Sequence, residues 1–261
     1  MESILAALWL GIIEGITEFL PISSTGHLLI AEHWLGERSD LFNVAIQAGA
    51  ILAVVVIYWH RLMELLLHFT QRENRDYFLK LCVAFAITVV GGLVAKKAGL
   101  ELPHTVTPIA WAMIIGGVAI LLVERYVADK PLSENVTWKV AFWVGACQIL
   151  AAVFPGTSRS AATIFAAMLA GLTSRPAATE FAFLVGIPTM FAATAYLLLE
   201  TARTSGIAHE NWTELGVAFV VSAIVAFIAV KWLLKYIQTH RFTVFAWYRI
   251  IFGVALLLLI H

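Results

Sequence analysis

Cysteine and charged residues are scarce in this 261-residue sequence, and a nucleotide-binding loop is missing. The two cysteines, Cys82 and Cys147, lie inside apolar runs, where we expect them to pack as small hydrophobic side chains rather than form a disulfide or bind a metal. The sequence has no glycine-rich phosphate loop with its lysine, which leaves nucleotide-driven pumping without support. Because the net charge is zero, no basic surface indicates nucleic acid as a partner.

Apolar residues are abundant instead. They make up 61% of the sequence, while only 13% of the residues are charged, a balance typical of polytopic membrane proteins. The simplest interpretation is a single integral membrane domain over residues 1–261.

Six apolar runs are long enough to cross a bilayer core of about 30 Å, which needs roughly 17–25 helical residues. They cover residues 42–59, 77–97, 106–124, 179–199, 214–232 and 243–260. Two further apolar regions, about 3–35 and 138–171, are interrupted at Pro21 and at Pro155-Gly156, and their second halves are too short to span. We therefore expect an all-α polytopic membrane protein with six transmembrane helices and two re-entrant helical hairpins.

The two interrupted regions resemble each other at a constant offset of 134 residues, which matches Pro21 with Pro155. This resemblance predicts an internal duplication with halves of about 1–130 and 136–261. An odd number of crossings in the first half would insert the second half upside down. Inverted repeats with broken helices usually hold their site near the membrane midplane, where the breaks meet.

Lysine and arginine residues are concentrated in the loops on the side opposite both termini. Loops that carry these residues stay in the cytoplasm. The positive-inside rule therefore predicts that both termini and the mouth of the first hairpin face outward.

The stretch EGITEFLPISSTGH, residues 14–27, places carboxylates, hydroxyls and an imidazole in a predicted membrane segment, where ionisable groups usually mark a functional site. Glu14 and Glu18 are four residues apart and so share a helix face. They can hold a divalent cation together, or one can stay protonated while the other acts as a base. A pair of buried carboxylates without function is the alternative.

Small polar residues follow Pro21 and suit the N-terminus of a second half-helix, where free backbone N–H groups and hydroxyls form an anion site. These residues are Ser23, Ser24, Thr25, Gly26 and His27. Since His27 lies three residues after Ser24, the spacing predicts that its imidazole reaches the Ser24 hydroxyl as a base, or acts as a nucleophile itself.

The second interruption reads PGTSRSAAT, residues 155–163, and surrounds the one charge of a long apolar region with hydroxyls. Arginine is the side chain best shaped to hold a phosphate through its planar fork, so Arg159 is the candidate phosphate ligand. The alternative is that Arg159 only neutralises Glu14 or Glu18. The two roles do not exclude each other, because an empty site can use the pairing and a loaded site the phosphate contact.

Together the two motifs resemble those of the bacterial undecaprenyl pyrophosphate phosphatases of the bacitracin-resistance type. That family has two acidic positions four residues apart, the first also glutamine, then FLPxSSTGH, and later PGxSRSxxT. Here these motifs stand at Glu14 to His27 and at Pro155 to Thr163. One departure is Ala161, where the family usually has glycine, and this change removes no functional group.

The resemblance implies removal of the terminal phosphate from a polyprenyl pyrophosphate, which recycles the lipid carrier for cell-wall synthesis and confers bacitracin resistance. It implies a divalent cation, Mg or Ca, held by Glu14 and Glu18. The implied catalytic residues are Glu14, Glu18, Ser24, His27 and Arg159, with the attacking group left open between Ser24, His27 and water. The implied substrate-binding residues are Ser23, Thr25, Gly26, Gly156, Thr157, Ser158, Ser160 and Thr163.

The implied location is the bacterial inner membrane, with multiple crossings and an active site that faces the periplasm. The expected partners are the pyrophosphate lipid and the surrounding membrane lipids, with bacitracin competing for the substrate and a homodimer as one open form of assembly. A secondary transporter or lipid flippase is the rival interpretation, because such proteins share inverted repeats and charges at the midplane. Release of phosphate by the pure protein discriminates between the two.

Overall fold

A computed structural model describes residues 2–100, 105–204 and 210–259 of the chain. This part of the chain is helical throughout, with no strand. Its helices are α1 (Glu2–Thr17), α2 (Ser24–Leu35), α3 (Asp40–Ile57), α4 (Trp59–Leu67), α5 (Arg72–Lys97), α6 (Val106–Ala128), α7 (Trp138–Val153), α8 (Arg159–Leu169), α9 (Arg175–Thr204), α10 (Trp212–Tyr236) and α11 (Thr243–Leu259).

Five of these helices, α3, α5, α6, α9 and α10, are long and apolar enough to cross a membrane. The sixth predicted span is α11, which is apolar but has only 17 residues. Large apolar side chains remain exposed on the outer faces of these helices, as lipid-facing positions require. Examples are Leu93 on α5, Ile115 on α6, Ile228 on α10 and Ile251 on α11. The protein is therefore an all-helical, multi-pass membrane protein.

One helix was not predicted. The sequence assigned no element between residues 59 and 77, whereas the structure places the nine-residue α4 there and starts α5 at Arg72. The charged residues that end the apolar run do not end helical structure, because Leu, Met, Glu and Arg are all good helix formers. Arg61 and Glu64 of α4 pair with each other, with 2.8 Å between Nη1 and Oε2.

Both predicted interruptions are present as breaks between two helices. Residues 18–23 separate α1 from α2, and residues 154–158 separate α7 from α8. The second helices have 12 and 11 residues. At about 1.5 Å per residue, neither is long enough to cross the apolar core of a bilayer.

The two breaks end on the same unusual backbone. Ser23 and Ser158 are the only non-glycine residues with positive φ in the described ranges, at 73° and 67°. Each serine caps the helix that follows, because its Oγ accepts a hydrogen bond from the N–H of Gly26 or Ala161. The caps are one residue further apart than the predicted offset of 134, so the alignment without a gap is wrong by one residue at the breaks.

Helix contacts also recur in the two halves of the chain. A Cβ atom on Gly11 would lie 2.6 Å from the carbonyl oxygen of Ala218 in α10, and a Cβ atom on Gly145 would lie 2.6 Å from that of Ala84 in α5. Only glycine permits backbones to approach so closely. Because α1 packs on α10 as α7 packs on α5, the two interrupted segments hold corresponding positions in the fold.

A large hydrophobic cluster lies beneath both breaks. It includes Phe19 and Leu20 from the first break and Ile164 and Phe165 from α8, together with residues of α3, α6, α7, α9 and α10. Phe19 packs edge-on against Phe183 of α9, with 5.0 Å between ring centroids. The apolar residues next to the polar groups of the breaks are therefore part of one packed hydrophobic cluster.

Candidate active site

Glu18 and Ser24 lie at opposite ends of the first break and meet across it. The Ser24 Oγ donates a hydrogen bond of 2.5 Å to Oε2 of Glu18, and both residues are buried. A carboxylate in direct contact with a serine hydroxyl can accept its proton. This contact gives Ser24 an adjacent base.

Arg159, the first residue of α8, brings the second break to the same carboxylate. Its Nη2 donates to Oε1 of Glu18, so the two Glu18 oxygens serve different breaks. The Arg159 side chain remains 23% exposed, whereas that of Glu18 is 6% exposed. The predicted pairing of Arg159 with one of the two glutamates is thus present with Glu18. The exposed part of the guanidinium leaves donors for an anion.

Glu14, one helical turn before Glu18, has no solvent exposure. Within the described part of the chain, neither of its carboxylate oxygens has a hydrogen-bond partner. A buried carboxyl without a partner is costly, so its retention indicates a ligand or a proton. Carboxylate oxygens are the ligands that a hard divalent cation prefers, and Glu14 leaves both of its oxygens without a partner one turn before Glu18.

His27 lies in the site but does not contact the serine hydroxyl as predicted. Its Nδ1 is 2.7 Å from the carbonyl oxygen of Ser23, and its Nε2 is 2.6 Å from the hydroxyl of Tyr248 in α11. Because a carbonyl can only accept, Nδ1 carries the proton, and Nε2 of the neutral ring accepts from Tyr248. The ring also stacks on Phe252, with 4.5 Å between centroids. The expected pair of His27 and Ser24 is therefore wrong, since a partner from α11 sets the orientation of the ring.

The remaining predicted residues line the two breaks. Ser160 donates from Oγ to the carbonyl oxygen of Leu20 over 3.1 Å, which ties the second break to the first. Thr163 bonds back to the carbonyl oxygen of Arg159 in its own helix. Gly26 packs against Ile109 of α6, while Thr25 at the start of α2 is half-buried.

Gly156 and Thr157 form the turn of the second break. Gly156 has φ of 89°, and a Cβ there would lie 2.8 Å from the carbonyl oxygen of Ile109. The Oγ of Ser158, besides capping α8, is 3.1 Å from that of Ser160. Ser158 and Ser160 are the sequence neighbours of Arg159 at the start of α8, and helix N-termini of this kind bind anions.

A narrow cavity lies beside the ion pair. Glu18, Arg159, Ser160 and Thr163 line its polar part, and Phe19, Ala182, Phe183, Gly186 and Met190 line its apolar part. The lining thus combines an ion pair with apolar side chains, which are the two kinds of group that contact an anionic amphiphile.

Comparison with known proteins identifies the chain's relatives. The family model described as bacitracin resistance protein BacA matches residues 7–255. The chain belongs to the BacA bacitracin-resistance family. BacA-family relatives are similar over nearly the whole length of both chains. The undecaprenyl-diphosphatase of Rhizobium johnstonii is 65% identical over 98% of this chain and 97% of its own.

Two further relatives extend this similarity. The undecaprenyl-diphosphatase of Stenotrophomonas maltophilia is 62% identical over 99% of this chain and 98% of its own, and that of Xanthomonas euvesicatoria is 58% identical over 99% and 97%. The resemblance seen in the two motifs therefore covers the whole BacA-type chain.

Two residues of α11 that contact the site in this BacA-family fold had no role assigned from the sequence. Tyr248 bonds to His27, and Arg249 bonds to backbone carbonyls of both breaks. The available signal was Arg249 itself, an arginine placed near membrane depth without an assigned role. Its partners could not be found from spacing, because they lie in α6 and in breaks remote in sequence.

Two other charged residues form ion pairs away from the site. Arg175 forms a two-pronged contact with Glu124 of α6. Glu180 lies near Arg61 of α4, with 3.5 Å between Oε1 and Nε. Neither pair contacts the breaks, so both stabilise helix packing.

Proposed function

We propose that this protein is an undecaprenyl-diphosphatase. It hydrolyses undecaprenyl pyrophosphate to the monophosphate and inorganic phosphate, and so recycles the lipid carrier for cell-wall synthesis and confers bacitracin resistance. The observation that carries the proposal is the contact of Glu18 with both Ser24 and Arg159, which joins a base, a hydroxyl and a phosphate ligand across the two breaks. The names of the full-length relatives support the same activity.

In the mechanism that this geometry favours, Ser24 is the nucleophile. Its Oγ attacks the terminal phosphorus, its proton passes to Oε2 of Glu18, and the bond from phosphorus to the bridging oxygen breaks to release the prenyl monophosphate. Glu18 gives this proton to the departing prenyl monophosphate and is ionised again. Water then attacks the phosphoserine, Glu18 takes a proton from the water and passes it to Ser24 Oγ, and the bond from phosphorus to Oγ breaks to release inorganic phosphate. His27 is less suited to attack, because both ring nitrogens are engaged by Ser23 and Tyr248.

Arg159 and the free amides at the starts of α2 and α8 hold the phosphates in this proposal. When the pyrophosphate enters, the guanidinium exchanges part of its contact with Glu18 for phosphate oxygens. The exchange frees Glu18 to accept the serine proton. Donors already directed at the phosphate stabilise charge that develops in the transition state.

Glu14 and Glu18 would hold the divalent cation, Mg or Ca. The buried, unpartnered oxygens of Glu14 support this assignment. When bound, the cation would neutralise phosphate charge and help to orient the pyrophosphate. Glu14 and Glu18 would be its protein ligands, because no group of three His, Cys, Asp or Glu side chains in the described ranges could hold a metal.

We further propose that the chain forms an inverted repeat of six transmembrane helices and two re-entrant hairpins. The short second helices α2 and α8, the matching serine caps and the repeated glycine contacts of α1 and α7 support it. A second pair of contacts supports it too. A Cβ atom on Gly117 would lie 2.7 Å from the carbonyl oxygen of Ala246, and one on Gly253 would lie 2.8 Å from that of Ala110. Such reciprocal contacts of α6 and α11 are expected beside a two-fold axis.

The orientation that we propose puts both termini and the active site on the periplasmic side of the inner membrane. The test replaces Cys82 and Cys147, places a single cysteine at the exposed position Glu37 or Glu73, and labels intact cells with an impermeant thiol reagent. Position 37 should react from outside and position 73 only after lysis. The reverse pattern would place the site at the cytoplasmic face.

Phosphate release by the purified protein tests the activity. A short prenyl pyrophosphate should yield inorganic phosphate, a chelator should suppress the release, and Ser24→Ala should lower it by about a thousandfold or more. Thr189→Ala is a matched control, because the Thr189 hydroxyl bonds only to Val185 of its own helix. A transporter or flippase would release no phosphate, and that result would overturn the proposal.

Trapping identifies the nucleophile. A phosphoserine survives an acid quench, a phosphohistidine does not, and direct attack by water leaves neither. Labelled phosphate on the wild type that is absent from Ser24→Ala would support Ser24.

Two further measurements test the proposed partners. Bacitracin is expected to compete for the lipid in the phosphate-release assay. A mass measurement in detergent tests for a homodimer.

A further inference from the structure

We propose that Arg249 is a positioning residue that holds the two breaks at a fixed separation and so aligns Glu18 and Ser24 with Arg159. Its side chain is 0% exposed, although it carries a charge within an apolar helix. The groups that its guanidinium contacts are all backbone carbonyl oxygens.

These carbonyls belong to three separate segments. Nη1 donates to Pro21 of the first break over 3.4 Å and to Thr157 of the second break over 3.1 Å. Nη2 donates to Gly156 of the second break over 3.1 Å and to Ala112 of α6 over 3.0 Å, and Nε donates to Met113 of α6 over 3.3 Å. One guanidinium thus links both breaks to α6.

Arginine is the only side chain that can make this set of contacts. Its planar group carries five N–H donors in a fixed fork, whereas lysine has three on a flexible stem. Turn carbonyls such as those of Pro21, Gly156 and Thr157 have no partner within a helix, so a buried donor stabilises them. The buried guanidinium therefore stabilises the backbone of both breaks through these hydrogen bonds.

The contacts lie close to the proposed catalytic groups in sequence. Pro21 is midway between Glu18 and Ser24, and Thr157 is two residues before Arg159. A shift of either break would change the distance from Arg159 to Glu18. Because Arg249 contacts neither Glu18 nor the Arg159 guanidinium in the contacts above, it acts through the backbone.

Gly116 of α6 permits a test that leaves Arg249 in place. A Cβ atom on Gly116 would overlap Nη2 of Arg249 and lie 2.8 Å from its Cζ. Gly116→Ala should therefore push the guanidinium away from its carbonyls. Gly92→Ala is the matched control, since that helical glycine of α5 has open space around its Cβ position.

The experiment is a double-mutant cycle with full-length protein in detergent, measuring kcat and KM of phosphate release. Arg249→Met and Gly116→Ala should each lower kcat by about a hundredfold, with a smaller change in KM, as expected for misplaced catalytic groups. In the Arg249→Met background, Gly116→Ala should lower kcat by less than about twofold more, because the two changes remove the same contact. Additive losses, or a wild-type kcat in folded Gly116→Ala, would overturn the inference.

A second readout does not depend on the proposed phosphatase activity, on which the kinetic arm rests. Hydrogen–deuterium exchange should become faster in residues 18–23 and 154–158 together in both variants, but not in Gly92→Ala. If the wild type releases no phosphate, this coupled exchange still supports the link, and the proposed function alone fails. Faster exchange across all helices, or in only one break, would overturn the positioning role.

Discussion

The first and second breaks share the same backbone conformation at their last residue, but the charged side chains next to them have opposite signs. Each ends on a serine with positive φ that caps a short helix, and each gives carbonyl oxygens to Arg249. The carboxylates, the nucleophile candidate and the histidine lie in or next to the first break, whereas Arg159 directly follows the second break, between Ser158 and Ser160.

This difference shows how a buried site can form in an apolar protein. Neither charge would be stable alone at membrane depth, because an unpaired ion there is costly. Placed on separate breaks, Glu18 and Arg159 neutralise each other across the interface and still present polar groups to one cavity. Each of the two buried charges is therefore stabilised by contact with the other, which requires the two segments to pack together.

The largest effect on turnover is expected at Glu18, and it should distinguish Glu18 from Glu14. Glu18→Gln removes the base on Ser24 and the partner of Arg159, so turnover should fall by about a thousandfold. Glu14→Gln should lower turnover much less, because α7 carries a buried amide, Gln148, at the position that the offset of 134 residues matches with Glu14. Phosphate release by both folded variants checks this order. Equal losses would favour a metal that requires both carboxylates.

The next effect tests the second break. Arg159→Lys keeps the charge but cannot grip a phosphate with two parallel donors, so turnover should fall by about a hundredfold. Arg203→Lys on the exposed end of α9 is the control and should be neutral. Near-normal turnover in Arg159→Lys would leave the arginine only a neutralising role.

A smaller effect concerns the hydrogen bond between His27, which follows the first break, and Tyr248 of α11. Tyr248→Phe keeps the stacked ring but removes the hydroxyl from His27 Nε2, a hydrogen bond worth about 1 kcal/mol, so turnover should fall by about fivefold. Trp247→Phe at the neighbouring exposed position is the control. If His27 were the nucleophile, freeing Nε2 would raise the rate of phosphoenzyme formation instead.

The smallest effect is expected for the two serines that cap α2 and α8. Ser23→Ala and Ser158→Ala should each lower the free energy of unfolding by about 1 kcal/mol or slightly more, since each loses the cap and keeps the positive φ. Glycine at the same positions should cost only a few tenths of a kcal/mol, because it adopts positive φ freely. Thermal unfolding in detergent measures the difference. A similar loss with alanine and glycine would mean that the backbone strain is negligible.

Much of this architecture could be predicted from local sequence. Long apolar runs gave the positions of the spanning helices, and Pro21 and Pro155 gave the breaks, because both signals act within a few turns of helix. The residue types of the site were also predictable, since an ion in an apolar segment needs a partner. Helix α4 was not predicted, because its nine residues are too few and too charged to stand out as an apolar run.

The partners of individual side chains were less predictable. Helical spacing placed His27 beside Ser24, but Ser24 bonds across the break to Glu18 and His27 bonds to Tyr248. Periodicity assumes a continuous helix and a free choice of rotamer. At Ser23 the backbone leaves helical geometry, and a residue of α11 competes for the ring.

The sequence by itself determined the all-helical membrane character, the two breaks and the polar residues that they carry, because these follow from apolar length, proline and composition. Only the tertiary structure decided that Glu18 joins Ser24 to Arg159 and that Arg249 links both breaks to α6. Those contacts join residues up to 228 positions apart. Local sequence cannot encode such distances, which are set by how the two halves pack against each other.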